Sequence, residues 1–332
     1  MDARAAEQRN SGQQSPASAA WEVGNGHSFL RLPLYRDRFE LTAKLEGFNP
    51  AGSIKLKTAI GLVDDAERRL GMTHGLHLIE STSGNLGIAL ATVCASRGHS
   101  LTLVTDPNAT EMAVRHMRAL GAIVLIVEER DQQGGYLDTR IRFVQQLVDQ
   151  DDRLHWLNQY GNSANSRAHA ERTVSEILEW YGIPDLLFIG AGTTGTLMGC
   201  VEGFREANVR PRIVAVDAEG SITFGDTEPI RRRIPGIGTS RRPELFQDDG
   251  SFEKIRVAEV DAIRACRLLA RESGLLVGGS TGSVIAAVAA LSKTIPRDSR
   301  VLIIAPDQGE KYLDTIYDDD WVAAHFGTEL VK

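Results

Sequence analysis

Four stretches of this chain carry side chains that do chemistry when they are brought together. Residues 49–57 read NPAGSIKLK. Asn-Pro-Ala-Gly signals a turn, Ser53 is placed to cap a following helix, and Lys55 falls in its first turn. A cation there opposes the helix dipole, which favours the neutral amine that a Schiff base requires. Taken alone, the stretch reads as a surface lysine on an amphipathic helix. Residues 81–87, STSGNLG, lie between a strand-like and a helix-like run. Ser81, Thr82, Ser83 and Gly84 meet free helix amides there, a combination that binds an anion such as a carboxylate. Asn85 adds an amide able to reach a ring oxygen. The plain alternative, Ser81 or Thr82 as a helix cap, is compatible with binding.

Residues 190–199, GAGTTGTLMG, again follow an apolar run and open a helix. Gly192, Thr193, Thr194, Gly195 and Thr196 offer backbone N–H groups and hydroxyls, a phosphate cup. No lysine follows, so this is not a Walker loop. It does match GxGxxG, and Asp217 ends the next strand-like run, which keeps a dinucleotide loop open. Residues 274–283, GLLVGGSTGS, take a strand-like run through Gly-Gly into a helix. The Ser280 hydroxyl suits a ring nitrogen; Ser280 or Thr281 as an N-cap is the plain alternative. Together the four stretches supply an amine, a carboxylate nest, a phosphate cup and a ring-nitrogen partner.

Alternating elements must position them. Apolar strand-like runs fall at residues 76–80, 100–104, 123–127, 186–189, 213–216 and 301–305. Helix-period stretches fall at 57–70, 86–97, 110–120, 137–148, 168–180, 197–207, 262–272 and 284–291. This alternation predicts an α/β fold with parallel sheets, buried on both faces by helices. Ligands bind at the carboxyl ends of such strands, where the four stretches lie. A polar run, NQYGNSAN at 158–165, marks the expected boundary between two sheets, and residues 220–250 lack any period.

Composition narrows the class. The chain has 332 residues, 42% hydrophobic and 24% charged, as a soluble globular protein does. A net charge of −7 gives no global attraction to nucleic acid or anionic membrane, and the runs at Arg231-Arg232-Arg233 and Arg241-Arg242 read as solvated faces. Cys94, Cys200 and Cys266 have no metal-ligand spacing and suit buried packing in a reducing, cytoplasmic setting. Residues 1–20, polar and small, read as a disordered tail rather than a signal peptide. No apolar run is long enough to span a bilayer.

NPAGSIK, STSGN, GTTGT and GGSTGS, in this order, resemble the cysteine synthase group of fold-type II pyridoxal-phosphate (PLP) enzymes, across residues 29–321. HLIESTSGNLGIALA, GGYLDTRI, WLNQYGN, IVAVDAEGSITFGD and IPGIGTSR are similar to the N-(2-amino-2-carboxyethyl)-L-glutamate synthase family within it. Four positions depart. Ala51 replaces a glycine of the lysine loop, Leu56-Lys57 replaces Asp-Arg, an expected loss of a local ion pair, and Gly192 stands where the glutamate-using family has serine.

The resemblance implies a two-domain fold of the tryptophan synthase β type. A smaller mobile domain would span residues 49–158 and a larger PLP-binding one residues 21–48 plus 159–325, in a homodimer. It implies that Lys55 carries the cofactor and that Asn85, Gly192, Thr193, Thr194, Gly195, Thr196 and Ser280 bind it. Ser81, Thr82, Ser83, Gly84 and Asn85 would hold the substrate carboxylate. The implied reaction joins O-phospho-L-serine to L-glutamate through an aminoacrylate, releasing phosphate, for 2,3-diaminopropionate biosynthesis in siderophore or antibiotic pathways. Arg140 and Tyr160 are the candidates for holding glutamate, since Arg suits bidentate carboxylate binding. A cysteine synthase using sulfide is the alternative. A non-catalytic PLP scaffold leaves the intact lysine unexplained, and a dehydrogenase leaves three of the four stretches unexplained.

Overall fold

The computed structural model describes residues 17–23, 26–82, 84–132, 134–225 and 230–328. Residues 1–16 of the expected tail, and Ser83, lie outside them; Ala20–Glu22 form a short 3₁₀ turn. Two sheets organise the rest. One is wholly parallel, in the order β5-β4-β3-β6: β3 (His77–Ser81), β4 (Ser100–Thr105), β5 (Ile123–Ile126) and β6 (Leu154–Trp156). The other has six strands in the order β1-β2-β10-β7-β8-β9: β1 (Phe29–Arg31), β2 (Glu40–Leu45), β7 (Leu186–Gly190), β8 (Arg212–Ala218), β9 (Glu253–Val257) and β10 (Arg300–Ala305). Only the β1–β2 pair is antiparallel.

Helices cover both sheets, which is why the central strands are apolar along their whole length. On the four-stranded sheet these are α1 (Lys55–Leu70), α2 (Asn85–Arg97), α3 (Glu111–Ala119) and α4 (Leu137–Gln150). The chain then runs through α5 (Ala164–Ala168), a π-helical turn His169–Val174, α6 (Ser175–Trp180), α7 (Gly195–Glu206), α8 (Glu259–Ser273), α9 (Gly279–Leu291) and α10 (Asp319–Phe326). Helix α2 has nine buried residues among small side chains and α9 likewise, so each is a helix that lies inside the protein rather than on it.

Two expectations are corrected. The apolar run before Gly278 is not a strand. Val277 makes a single isolated bridge to Gln308, and its N–H and C=O both bond the Tyr317 hydroxyl. The following helix begins at Gly279, five residues before the apolar period starts at Val284, because Gly279, Ser280, Thr281 and Gly282 are small enough to be buried there. The strands β1, β2, β6 and β9 escaped the pattern. β1 and β6 have three residues each, β2 (ELTAKL) is interrupted by the buried Lys44, and β9 at the sheet edge (EKIRV) carries charge.

Candidate active site

At the carboxyl ends of both sheets a cavity of about 470 Å³ opens, and residues from all four stretches line it. The lysine loop is stapled by Asn49, whose Nδ2 donates to the carbonyls of Glu46 (2.8 Å) and Ser53 (3.0 Å) while Oδ1 accepts from Ala51 N–H. Ile54 N–H bonds the Pro306 carbonyl at 2.7 Å, which ties the loop to the end of β10. Ser53 does not cap α1: Ile54 precedes the helix without a side-chain cap, and the Ser53 hydroxyl is buried without a partner. Lys55 is the first residue of α1 and faces the cavity. Burial pushes its amine down to about 8, while the carboxylate of Asp307 pulls the other way. Desolvation is what favours the neutral amine.

Lys57, two residues on, points elsewhere and bonds Glu46 (2.8 Å) and Glu176 (2.5 Å). The expected loss of an ion pair is therefore corrected: lysine replaces arginine and the partners come from β2's end and α6. Lys44, fully buried, joins the same pair of carboxylates.

Thr82, Gly84 and Asn85 line the cavity at the start of α2. Ser81 does not; it is buried at the end of β3, its carbonyl accepting from Gln159 Nε2 at 2.8 Å. Neither Ser81 nor Thr82 caps α2, which Gly84 precedes without a side-chain cap. Gly192, Thr193, Thr194 and Thr196 line the opposite wall at the start of α7. Thr194 holds a left-handed backbone (φ 65°), and its hydroxyl is buried without a partner. Gly195 lies off the cavity: a methyl there would stand 2.2 Å from Asn165 Oδ1, so its role is to admit that side chain. The Thr196 hydroxyl is 3.3 Å from His169 Nε2, and burial first, then Lys55 and Lys57, hold that imidazole neutral. Ser280 lines the cavity from the first turn of α9, where Gly278 and not Ser280 or Thr281 is the cap residue.

Tyr160 lines the cavity and Arg140 does not. Arg140 is buried 3.2 Å from Asp106 Oδ2, with Nη1 lacking a hydrogen-bond partner, and its charge acts on the Tyr160 hydroxyl. Asp217 is likewise inside the protein, off the cavity, with its carboxyl pushed up to about 6 by burial. A ribose-binding acid must reach its ligand, so the dinucleotide reading has no acid to use.

Asp307, Lys311 and Tyr312 line the cavity without a signal in the sequence, and Gln159 and Thr239, within WLNQYGN and IPGIGTSR, had no role assigned to them. Asp307, Lys311 and Tyr312 follow β10, a central and largely apolar strand, so the position at its carboxyl end was the available clue. The three cysteines are buried and free, each thiol pushed up to about 12 by burial, and play no part in the cavity. Among the described residues no cluster suits a metal ion, and no helix is long and apolar enough to cross a membrane.

Solved structures to which the chain is similar include the following three. O-ureido-L-serine synthase is 29% identical with a TM-score of 0.82, over 92% of this chain and 99% of the other. A lysine-to-alanine variant of that enzyme bound to O-ureido-L-serine is 28% identical (TM-score 0.81; 93% and 98%). A hydrogen sulfide-producing enzyme from Fusobacterium nucleatum is 27% identical (TM-score 0.81; 90% and 100%). The cavity fits PLP on its own terms: a buried amine for the aldehyde, an orphaned Thr194 hydroxyl and the amides of α7 for the phosphate, and a neutral Ser280 hydroxyl for the ring. The family model for pyridoxal-phosphate dependent enzymes matches residues 28–307, and the chain belongs to that family.

Proposed function

We propose that this enzyme joins O-phospho-L-serine to L-glutamate, giving N-(2-amino-2-carboxyethyl)-L-glutamate and phosphate for 2,3-diaminopropionate biosynthesis. The underlying chemistry is PLP-dependent β-replacement of the cysteine synthase kind, supported by the family match and the neighbours. PLP supplies the electron sink that lets an amino acid lose its α-proton and its β-substituent. Lys55 anchors the cofactor, and Gly192, Thr193, Thr194, Gly195, Thr196, Asn85 and Ser280 are its proposed binding set, Gly195 acting by admitting Asn165. Thr82, Ser83, Gly84 and Asn85, with Ser81 behind them, are proposed to hold the substrate carboxylate.

Lys55 Nζ takes the α-proton as general base. The Cβ–O bond breaks and phosphate leaves with the electron pair. The glutamate amine then forms the Cβ–N bond and sheds a proton, and Lys55 returns one to Cα. Residues 49–158 are the part proposed to close over this chemistry, against 21–48 and 159–325, in a homodimer.

The observation that supports glutamate is Tyr160 on the cavity wall with the buried Arg140 behind it, a guanidinium holding an unused donor. A Tyr160 hydroxyl backed by that cation suits a carboxylate and offers nothing to sulfide. Gly192, shared with ordinary cysteine synthases, favours the second reading, in which sulfide is the nucleophile. Absorption spectra separate them. O-phospho-L-serine should shift the cofactor band, and L-glutamate should then discharge the new species. Arg140→Ala, which removes the cation behind Tyr160, should raise the glutamate concentration needed by about tenfold. Discharge by sulfide alone, or an unchanged glutamate requirement, would overturn the glutamate assignment.

A further inference from the structure

Asn85 is gripped from both sides. Its Oδ1 accepts from Lys311 Nζ at 2.7 Å, and its Nδ2 donates to Asp307 Oδ2 at 2.8 Å. All three side chains line the cavity that Lys55 faces. An amide can be turned over with little change of shape, so its partners decide which end is which. An ammonium only donates, so the Asn85 oxygen must face Lys311 and the NH₂ group the other way. Asp307 receives one of the two N–H bonds and also accepts from the Tyr312 hydroxyl at 2.5 Å. The Asn85 NH₂ group, which also meets the Tyr312 hydroxyl, lines the cavity and is the end offered to whatever occupies it.

Lys311 has no hydrogen to spare for a substrate. Besides Asn85, its ammonium reaches the carbonyls of Gly52 (3.1 Å) and Ala51 (3.5 Å). Gly52 adopts φ +64°, and a methyl there would stand 3.2 Å from Lys311 Nζ. One cation thus joins the lysine loop, the first residue of α2 and the segment after β10.

We propose that Lys311 and Asp307 are positioning residues that fix the Asn85 amide so that it presents an N–H donor to the cofactor's ring oxygen. The inference rests on the PLP reading and on Asn85 as the ring-oxygen partner. Donation to that oxygen favours its anionic form, so the clamp is read in the balance of the two resting cofactor absorption bands, anionic against protonated oxygen.

The test uses holoenzyme carrying Asn85→Ala, Lys311→Met, Lys311→Arg and the Asn85→Ala/Lys311→Met pair, with band ratio and cofactor affinity measured by titration. Asn85→Ala and Lys311→Met should each shift the ratio toward the protonated oxygen and weaken affinity by about tenfold, one hydrogen bond's worth. Lys311→Arg, which also only donates, should restore the ratio. The pair should be no worse than Asn85→Ala alone, since Lys311 acts through Asn85. If Asn85→Ala shifts the ratio and a folded Lys311→Met or Lys311→Arg gives no corresponding effect or rescue, the clamp is wrong and the cofactor reading stands. If the pair is additive, Lys311 acts independently and the clamp is wrong. An unchanged ratio in Asn85→Ala would overturn the ring-oxygen assignment and the clamp with it.

Discussion

The first turn of α1 sends two lysines into two different regions. Residues two apart on a helix point roughly 200° away from each other, so Lys55 and Lys57 cannot share an environment. Lys55 enters the cavity, where burial pushes its amine down to about 8 and Asp307 is the carboxylate that opposes the shift. Lys57 enters a second recess, with Glu46 and Glu176. Burial pulls it down as well, but the two carboxylates more than offset that and its amine is raised. Glu46 shows the other half: burial would push its carboxyl up, yet Lys57 and Lys44 hold it down. Both lysines are out of water. The presence of bonded carboxylates separates a reactive amine from a structural one.

Three substitutions would break or sharpen that contrast. Lys55→Ala should abolish covalent cofactor attachment and lower turnover by at least about a hundredfold, as loss of a general base does. The urea midpoint of the cofactor-free protein should not fall, because no ion pair is lost. Lys57→Met should do the reverse. It strips a partner from two carboxylates in that recess and should destabilise the fold by about 3 kcal/mol in urea unfolding, with cofactor bands unchanged. The smallest effect is expected of Asp307→Asn. With the opposing charge gone, the pH midpoint for cofactor attachment should move below about 8, measured as attachment rate against pH.

Stability carries the same signs. Lys55 keeps its proton to about pH 10.5 in the unfolded chain and to about 8 in the folded one, so across that window the unfolded state binds more protons. Its contribution to cofactor-free stability therefore rises with pH there. Lys57, raised on folding, contributes stability that is full below pH 10.5 and is lost as pH passes its folded value.

Much of this was legible beforehand, for a physical reason. Central parallel strands such as β4 and β10 are apolar on both faces and the glycine-rich turns after β3 and β7 are local signals, so the elements and three walls of the cavity could be read from neighbours in sequence. What escaped depends on distant residues. The cap expected at Ser53 failed because Ile54 is held instead by Pro306, more than two hundred residues away. Arg140 looked like a helical arginine free to reach a ligand, and only the packing of Asp106 shows that it stands behind Tyr160. Lys57 looked unpaired because Glu46 and Glu176 come from different parts of the chain.

The pairing of β2 with β10 has a consequence for the order of events during synthesis. The four-stranded sheet is drawn from one continuous span, residues 77–156, and can assemble as soon as that span leaves the ribosome. Strand β2 must wait for residues 300–305 before its inner edge is covered, and Asp307, Lys311 and Tyr312 arrive later still. Such long-range closure is slow. Until the segment after β10 docks, the cavity around Lys55 lacks the wall made by Asp307, Lys311 and Tyr312, so the amine gains its buried setting only after residues beyond 305 have been made.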